Sequence, residues 1–448
     1  MNQLKRSLSL TGIITVVVGS CIGAGIFFTP AEIAATLKEP SLILSVWALG
    51  GIMVLSGALT FAELGALFPK VGGIYQFLKA AYGQLVAYLY GWMSLLVIVS
   101  GTIAALSLVV AEYLSVVFPM EEGSKTVVAL MVIFTVTLVN GLGAKQGERF
   151  SLVFAASKLL GIGLIVLIGF ILGSWSINDY SQIVPPETGM QQPGLAAAIG
   201  LALVGVCFSF GGFQHASYLA GEAKSPKKDI PRGLVGGVVL VMLVYLLANL
   251  AYLRLLPVAQ MATSKAVAAD ALAPVFGWSG ITVALLIALS SFGTVGIYTL
   301  TAPRIYFAMS RDRSFFPFMG RLHSKTKAPV NAILIQSGWA MLLVLLWGNL
   351  KALVYYVVFA DWVFLILAAF SIFLYRKRLP GQHRPYKTFG YPFTPAIFIL
   401  VSLFIVGNTL IQAPISATIA VACLISGLLV YYLLRLRQPT TEGTKQDD

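Results

Sequence analysis

Apolar runs long enough to cross a bilayer, about 20 residues each, recur from one end of this chain to the other. They lie near residues 10–37, 42–68, 85–117, 126–142, 149–173, 195–220, 233–256, 273–310, 329–348, 352–375, 391–411 and 414–434. Roughly twelve spanning helices are predicted, because hydrocarbon offers no water to stray backbone groups and a helix satisfies its own. Only 10% of the 448 residues are charged, against about 25% in soluble domains. The expected class is an all-α polytopic membrane protein. Its longest loops, 174–194 and 257–272, leave no room for a soluble domain.

Basic residues set the orientation of such a chain. With the N-terminus inside, Lys70, Lys79, Lys145, Arg149 and the basic clusters at 224–232, 311–327 and 376–387 all face the cytoplasm. The opposite loops hold only Lys38, Lys125, Arg254, Lys265 and Lys351. Both termini are therefore expected on the cytoplasmic side of the plasma (inner) membrane. The net charge of +13 then reads as a topology signal beside anionic lipid, not as a groove for a polyanion. Membrane lipids are expected partners and nucleic acid is not. Lys5 and Arg6 precede the first run as in a signal peptide, but the run is too long for one and is expected to be retained. Cys21, Cys207 and Cys423 lie in predicted spans without a CxxC or Cys/His pattern, so no disulfide, metal site or cofactor is expected. The ending QPTTEGTKQDD reads as a disordered polar tail.

Residues 19–27, GSCIGAGIF, put Gly19, Gly23 and Gly25 in the middle of the first span. Each costs about 1 kcal/mol against Ala in a helix interior. The sixth run, GVCFSFGGFQHASYLAGE, repeats the weakness with Gly211 and Gly212. A lone GxxxG such as Gly19–Gly23 reads as close packing. Packing does not require the same interruption at the head of two groups of about five spans, whereas an inverted-repeat transporter uses such paired breaks to build its binding site. Unwound backbone at that depth has to line a protein-enclosed cavity.

GSCIGAGIFFTP, FAELGALFPKVGGIYQFL and CFSFGGFQHASYLAGEAKSPKKDIPRG resemble the amino acid–polyamine–organocation superfamily, most of all its L-type amino acid transporter branch. The resemblance extends to LSSFGTVGIYTLTAPRIYFAMSRD and YVVFADWVFLILAAF and so covers nearly the whole chain. It implies a 5+5 inverted-repeat, LeuT-like fold with unwound first and sixth helices. The first repeat would span 10–180, the second 181–376 and two further helices 377–437, between cytoplasmic ends at 1–9 and 438–448. It also implies that backbone at Gly23, Ala24 and Gly25 holds a substrate carboxylate, and that carbonyls of Cys21, Phe208 and Gly211 hold its amine. Half-helix ends suit those charges. Ala24 stands where the family often has Ser and forfeits a hydroxyl contact. Phe208 matches an aromatic that closes over substrate in relatives.

Lys158 lies about ten residues into the fifth span, at a depth where a charge costs about 2.5–3.5 kcal/mol, which makes it a functional candidate. A lysine paired with carbonyls for packing is the alternative. The family resemblance implies that its ammonium stands in for a sodium ion and braces the unwound first helix. Asp361 and Trp362 occupy a place where relatives often carry Asn-Trp, near the substrate side chain. Asp361 could favour a cationic substrate, couple transport to protons, or face a watery vestibule. His215, one turn past Gly211, is open to a substrate contact, a proton-carrying role or plain burial with its bonds satisfied. Glu63, Glu112 and Glu222 are expected as paired vestibule or gate charges, and the basic GEAKSPKKDIPRG stretch as an inner loop.

These features predict a secondary transporter working by alternating access. Sodium-independent exchange of small or medium neutral amino acids is the leading reading, with small Ser100, Ala104 and Ser291 near the pocket walls. A proton-coupled symporter or a cationic amino acid transporter is the alternative. An enzyme is not expected, since the three histidines His215, His323 and His383 form no catalytic motif. Eukaryotic L-type members join a heavy subunit through a cysteine after the third span. FPMEEGSKT has none, so no covalently linked heavy subunit is expected.

Overall fold

The computed structural model describes residue 6 and residues 8–142, 144–173, 194–264, 266–273, 279–347 and 350–436. The junction expected at 180–181, most of the 174–194 loop, Lys5, Lys265, the 438–448 tail and the side chains of Lys145, Arg149 and Lys351 lie outside the described residues. The described elements are helical. In chain order they are α1 (Leu10–Cys21), α2 (Gly25–Leu37), α3 (Pro40–Leu67), α4 (Ile74–Tyr82), α5 (Gln84–Met93), a π turn (Ser94–Ile98), α6 (Val99–Val117), α7 (Glu122–Gly141) and α8 (Ala144–Ile171). There follow α9 (Leu195–Phe210), α10 (His215–Tyr218), α11 (Pro226–Leu255), α12 (Val258–Thr263), α13 (Val267–Leu272), α14 (Ser279–Thr301), α15 (Pro303–Arg311), α16 (Val330–Trp347), α17 (Leu350–Arg378), α18 (Phe393–Gln412) and α19 (Pro414–Leu436).

Among the described residues, 10 stretches are long and apolar enough to cross a membrane, α1 and α2 together forming one of them. Two more apolar helices, Leu195–Phe210 and Val330–Leu346, are shorter. The expectation of about twelve spans counts both. The first is short because the chain leaves the helix at Gly211, where φ −54° and ψ 142° carry it out of the α region. α1 stops in the same way at Cys21, and helix resumes at Gly25.

Both interrupted helices sit inside the bundle. α1 packs against α8, α11 and α14, while α2 packs against α9 and α12. Two long contacts, α3 along α11 and α6 along α14, frame them. The outer faces of α7, α18 and α19 expose large apolar side chains such as Met131, Phe134, Leu400, Ile411 and Ile415, as a lipid-facing surface does.

The three carboxylates expected as gate or vestibule charges are all paired. Glu112 meets Lys125 at 2.8 Å. Glu63 is held by Arg376 at 2.7 Å, Arg384 at 3.2 Å and the Thr388 N–H at 2.6 Å. Glu222 meets Arg304 at 2.9 Å with both side chains buried, and Arg304 also donates to the Leu300 carbonyl. Beside that pair the chain entering α1 is clasped by backbone: Leu8 N–H donates to Glu222 O and Lys224 N–H to Leu8 O, both at 2.9 Å.

Removing one member of a buried ion pair strands the other charge, which costs about 3–5 kcal/mol. Glu222→Ala should therefore lower the thermal midpoint in detergent by a cost of that order. Glu222→Ala combined with Arg304→Met should recover most of the loss, and a double variant no better than the single one would refute the pairing as the cause.

Candidate functional site

A helix that stops in mid-bilayer leaves its last carbonyls without an intrahelical donor. At the end of α1 three of them are met, those of Val18, Gly19 and Cys21. Val18 O accepts the Ile22 N–H at 2.8 Å, and Cys21 O accepts the Gly23 N–H at 2.8 Å. Gly19 O accepts Lys158 Nζ from α8 at 3.0 Å. The same ammonium donates to Thr294 Oγ1 of α14 at 2.5 Å. Thr294 Oγ1 in turn lies 3.3 Å from Gly19 O and 3.2 Å from Ile22 O, sharing its single hydrogen between them and its own helix. Lys158 is 2% exposed. It thus does pair with a carbonyl and a hydroxyl oxygen, the carbonyl at the end of α1 and the hydroxyl on α14, which also reaches Gly19 O and Ile22 O.

The end of α9 is tied to the end of α1. Tyr245 of α11 places its hydroxyl 2.7 Å from Cys21 O and 2.8 Å from Ser209 O. Cys21 Sγ donates to Phe210 O at 3.3 Å. Where α2 crosses α9, the backbones nearly touch: a Cβ on Gly25 would lie 2.7 Å from Ser209 Cα. In the second break Gly212 is the position that needs glycine. Its φ is +93°, and a Cβ there would fall 2.8 Å from both Ser20 Cβ and the Tyr298 hydroxyl.

α2 begins with no side-chain cap, so its first N–H groups fall outside the helix ladder and carry the positive end of its dipole. Gly23 and Ala24 lead into that end. With Gly23 N–H and Tyr245 both on Cys21 O, two donors already engage that carbonyl. Phe208 O likewise accepts the Gly211 N–H at 3.1 Å.

Beyond the breaks lies a cavity of about 20 Å³ lined by Ile98, Thr102, Cys207, Phe208, Gly211, Gln214, His215, Tyr298, Val357, Val358, Asp361 and Trp362. A water-sized group fits such a volume, and a whole amino acid does not. A larger cavity of about 270 Å³ opens one turn further along α9, at Leu201, Ala202 and Gly205, against Thr29, Glu32 and Thr36 of α2. The rings of Phe28 and Phe208 are 6.0 Å apart, and Phe208 lines the smaller cavity.

The structure gathers Phe208, Gly211, His215, Asp361 and Trp362 around one cavity. Cys21, Gly23, Ala24, Gly25 and Lys158 form the adjoining break and are not on the lining. His215 Nδ1 is 3.3 Å from Ser20 Oγ and 3.1 Å from Thr301 Oγ1, and its ring packs on Tyr298 at 4.3 Å. It anchors α10 to α1 and α14 while its ring faces the cavity. Trp362 packs on Phe398 at 5.6 Å.

The small walls expected at Ser100, Ala104 and Ser291 are a correction. None lines the cavity, and Ser100 Oγ instead donates to Gln336 O at 3.3 Å. The third span carries a π turn at Ser94–Ile98, and it is Ile98 at the end of that turn and Thr102 of α6 that line the cavity. Sequence reasoning also passed over Thr294, Tyr245, Tyr298 and Gln214. Gln214 Nε2 donates to Asp361 Oδ2 at 3.2 Å. Among the described residues, no three His, Cys, Asp or Glu side chains gather as a metal site would need.

A model of the family described as "Amino acid permease" matches residues 8–431. The serine/threonine exchanger SteT of Bacillus subtilis (strain 168) is 30% identical over 444 residues, 98% of each chain. The large neutral amino acids transporter small subunit 2 of Homo sapiens is 29% identical over 437 residues, covering 96% of this chain and 80% of that protein. The Asc-type amino acid transporter 1 of Mus musculus is 26% identical over 441 residues, covering 96% and 81% respectively.

Tyr245→Phe removes the hydroxyl shared by Cys21 O and Ser209 O. A buried acceptor left short of its donor costs about 1–3 kcal/mol, so the variant should melt earlier in detergent by that order. An unchanged midpoint would show that other donors take over at both helix ends.

Proposed function

The chain belongs to the amino acid permease family, an integral membrane transporter and not an enzyme, and from that premise we propose that it exchanges small or medium neutral amino acids without sodium. The observation that carries the reading is Lys158 Nζ, buried at the first helix break on Gly19 O and Thr294 Oγ1. An ammonium fixed at that place supplies the positive charge that a bound sodium ion would otherwise bring, and it does so in every state of the cycle. Transport then needs no ion gradient, and exchange follows if the empty protein crosses between states slowly.

In this reading the uncapped start of α2, at Gly23, Ala24 and Gly25, takes the substrate carboxylate. Carbonyls at the ends of α1 and α9, from Cys21, Phe208 and Gly211, take the amine. The donors now on Cys21 O and Phe208 O would shift as substrate enters. Phe208 closes over it, and Trp362 and Asp361 meet its side chain. The 5+5 inverted repeat gives the two breaks their opposed directions, with substrate acting through different affinity for the outward and inward states. Both termini face the cytoplasm of the plasma (inner) membrane. The chain works among membrane lipids without a covalently linked heavy subunit, as the cysteine-free FPMEEGSKT loop supports.

A second reading, proton symport or carriage of a cationic amino acid, is favoured by Asp361. Its carboxylate is 7% exposed, and its Oδ1 has no hydrogen-bond partner.

Uptake of labelled amino acids into proteoliposomes tests both. Uptake that requires unlabelled amino acid inside and ignores sodium is the expected result. Uptake into empty vesicles driven by an inward proton gradient would instead establish the second reading. Lys158→Ala should lose most uptake or acquire sodium dependence, and transport at the parent's rate in sodium-free buffer would overturn the role given to that lysine.

A further inference from the structure

The larger cavity, about 270 Å³, has room for an amino acid with the helices where they stand. A water takes about 30 Å³ of liquid, so the space holds as many heavy atoms as a small or medium amino acid contains. It lies between α2 and α9, with Ala262 of α12, Ser264 just past it and Tyr355 of α17 closing the sides. α2 ends at Lys38, and the orientation proposed above puts Lys38 in an outer loop. The cavity is then on the outer side of the breaks.

One helix face joins it to them. Gly25, Thr29, Glu32 and Thr36 follow one another at steps of four, three and four residues, which stacks them along a single stripe of α2. The stripe faces α9 at its inner end. A Cβ on Gly25 would meet Ser209, and one on Gly205 would lie 2.7 Å from Thr29 Cγ2. Thr29, Glu32 and Thr36 line the cavity, and Gly25 is where α2 starts, at the break.

The polar groups of this wall offer acceptors. A hydroxyl has one hydrogen to give. That of Thr36 goes to Glu32 O at 2.7 Å, and that of Ser264 to Asp270 Oδ2 at 2.5 Å. Both then present lone pairs to the space, beside the exposed carboxylate of Glu32, which only accepts. No lysine, arginine or histidine is among the lining residues. An ammonium, with three donors and a positive charge, matches such a wall better than a carboxylate does.

We propose that this cavity is a capture site for the ammonium of an incoming amino acid, with Glu32 as its counter-charge, and that the stripe leads from there to the break. The proposal rests on the amino acid transport reading and on the outward placement of Lys38, and it adds a second site to the central one. Glu32 raises the local concentration of the zwitterion at the outer mouth. It plays no part once the amino acid has reached Gly23, Ala24 and Gly25.

Two measurements test this. Cells producing the protein present its outer face. There Glu32→Gln should raise the KM of the neutral amino acid taken up fastest by about two- to fivefold, the reach of one solvent-exposed ion pair, with kcat unchanged. In inside-out vesicles the variant should keep the wild-type KM, and Glu32→Asp should restore the outer value. The second measurement labels Thr36→Cys with N-ethylmaleimide, an uncharged thiol reagent. Ethanolamine, which has an amine and lacks the carboxylate that the breaks would bind, should slow the labelling several-fold, and potassium chloride at the same concentration should not. Adding Glu32→Gln should remove that protection. An unchanged outer KM, a rise at the inner face, or protection by potassium equal to that by ethanolamine would each overturn the capture site and leave the central one standing. Uptake of no amino acid at all would remove the transport reading, and this one with it.

Discussion

A helix cannot be broken in hydrocarbon unless protein supplies what water would have supplied. An unpaired backbone group there costs several kcal/mol, comparable with the cost of placing a lysine at that depth. The two expenses largely offset each other where Lys158 meets Gly19 O. Thr294, Tyr245 and the Cys21 thiol complete the work at Ile22 O, Ser209 O and Phe210 O. These donors come from α8, α14, α11 and α1, so the end of each broken helix is fastened both to its neighbour and to the helices around it. The breaks are accordingly a shared piece of structure.

That sharing has a mechanical consequence. Tyr245 divides one hydrogen between carbonyls of α1 and α9, so neither helix end can shift without loosening the other. At the opposite end of α1 the Leu8 clasp joins the chain to residues 222–224, next to the buried Glu222–Arg304 pair. Buried ion pairs add little net stability but penalise arrangements that separate them. A transporter that alternates between two states uses such bonds to favour one packing until substrate binding favours the other.

The spans were legible because each is a long apolar run, and the breaks because glycine in mid-span is expensive and here occurs twice. Lys158 was legible for the same reason in charge: it is costly where it lies. Tyr245, Thr294 and Gln214 carried no such signal. Each is an ordinary residue in its own segment, and its importance depends on which way one helix faces another. The third span shows how easily that is misjudged. There Ile98 and Thr102, not Ser100 and Ala104, line the cavity, in a span whose helical register is interrupted by a π turn at Ser94–Ile98. His215 was undecided in sequence because its alternatives differ only in partners, and the structure supplies Ser20 and Thr301.

The cavity also divides along a boundary that matters for coupling. Phe208, Gly211 and Gln214 belong to the interrupted helix, whereas Ile98, Thr102, Val357, Val358 and Asp361 belong to helices that are continuous through the same depth. The bond from Gln214 to Asp361 crosses that boundary. A substrate that merely filled space on one side would leave the relative positions of the two groups unbiased. One that engages the break with its charged end and Asp361 with its side chain is held by both at once. Its binding energy then depends on how the groups are arranged, and that dependence is what a carrier needs for substrate to change the balance between its states.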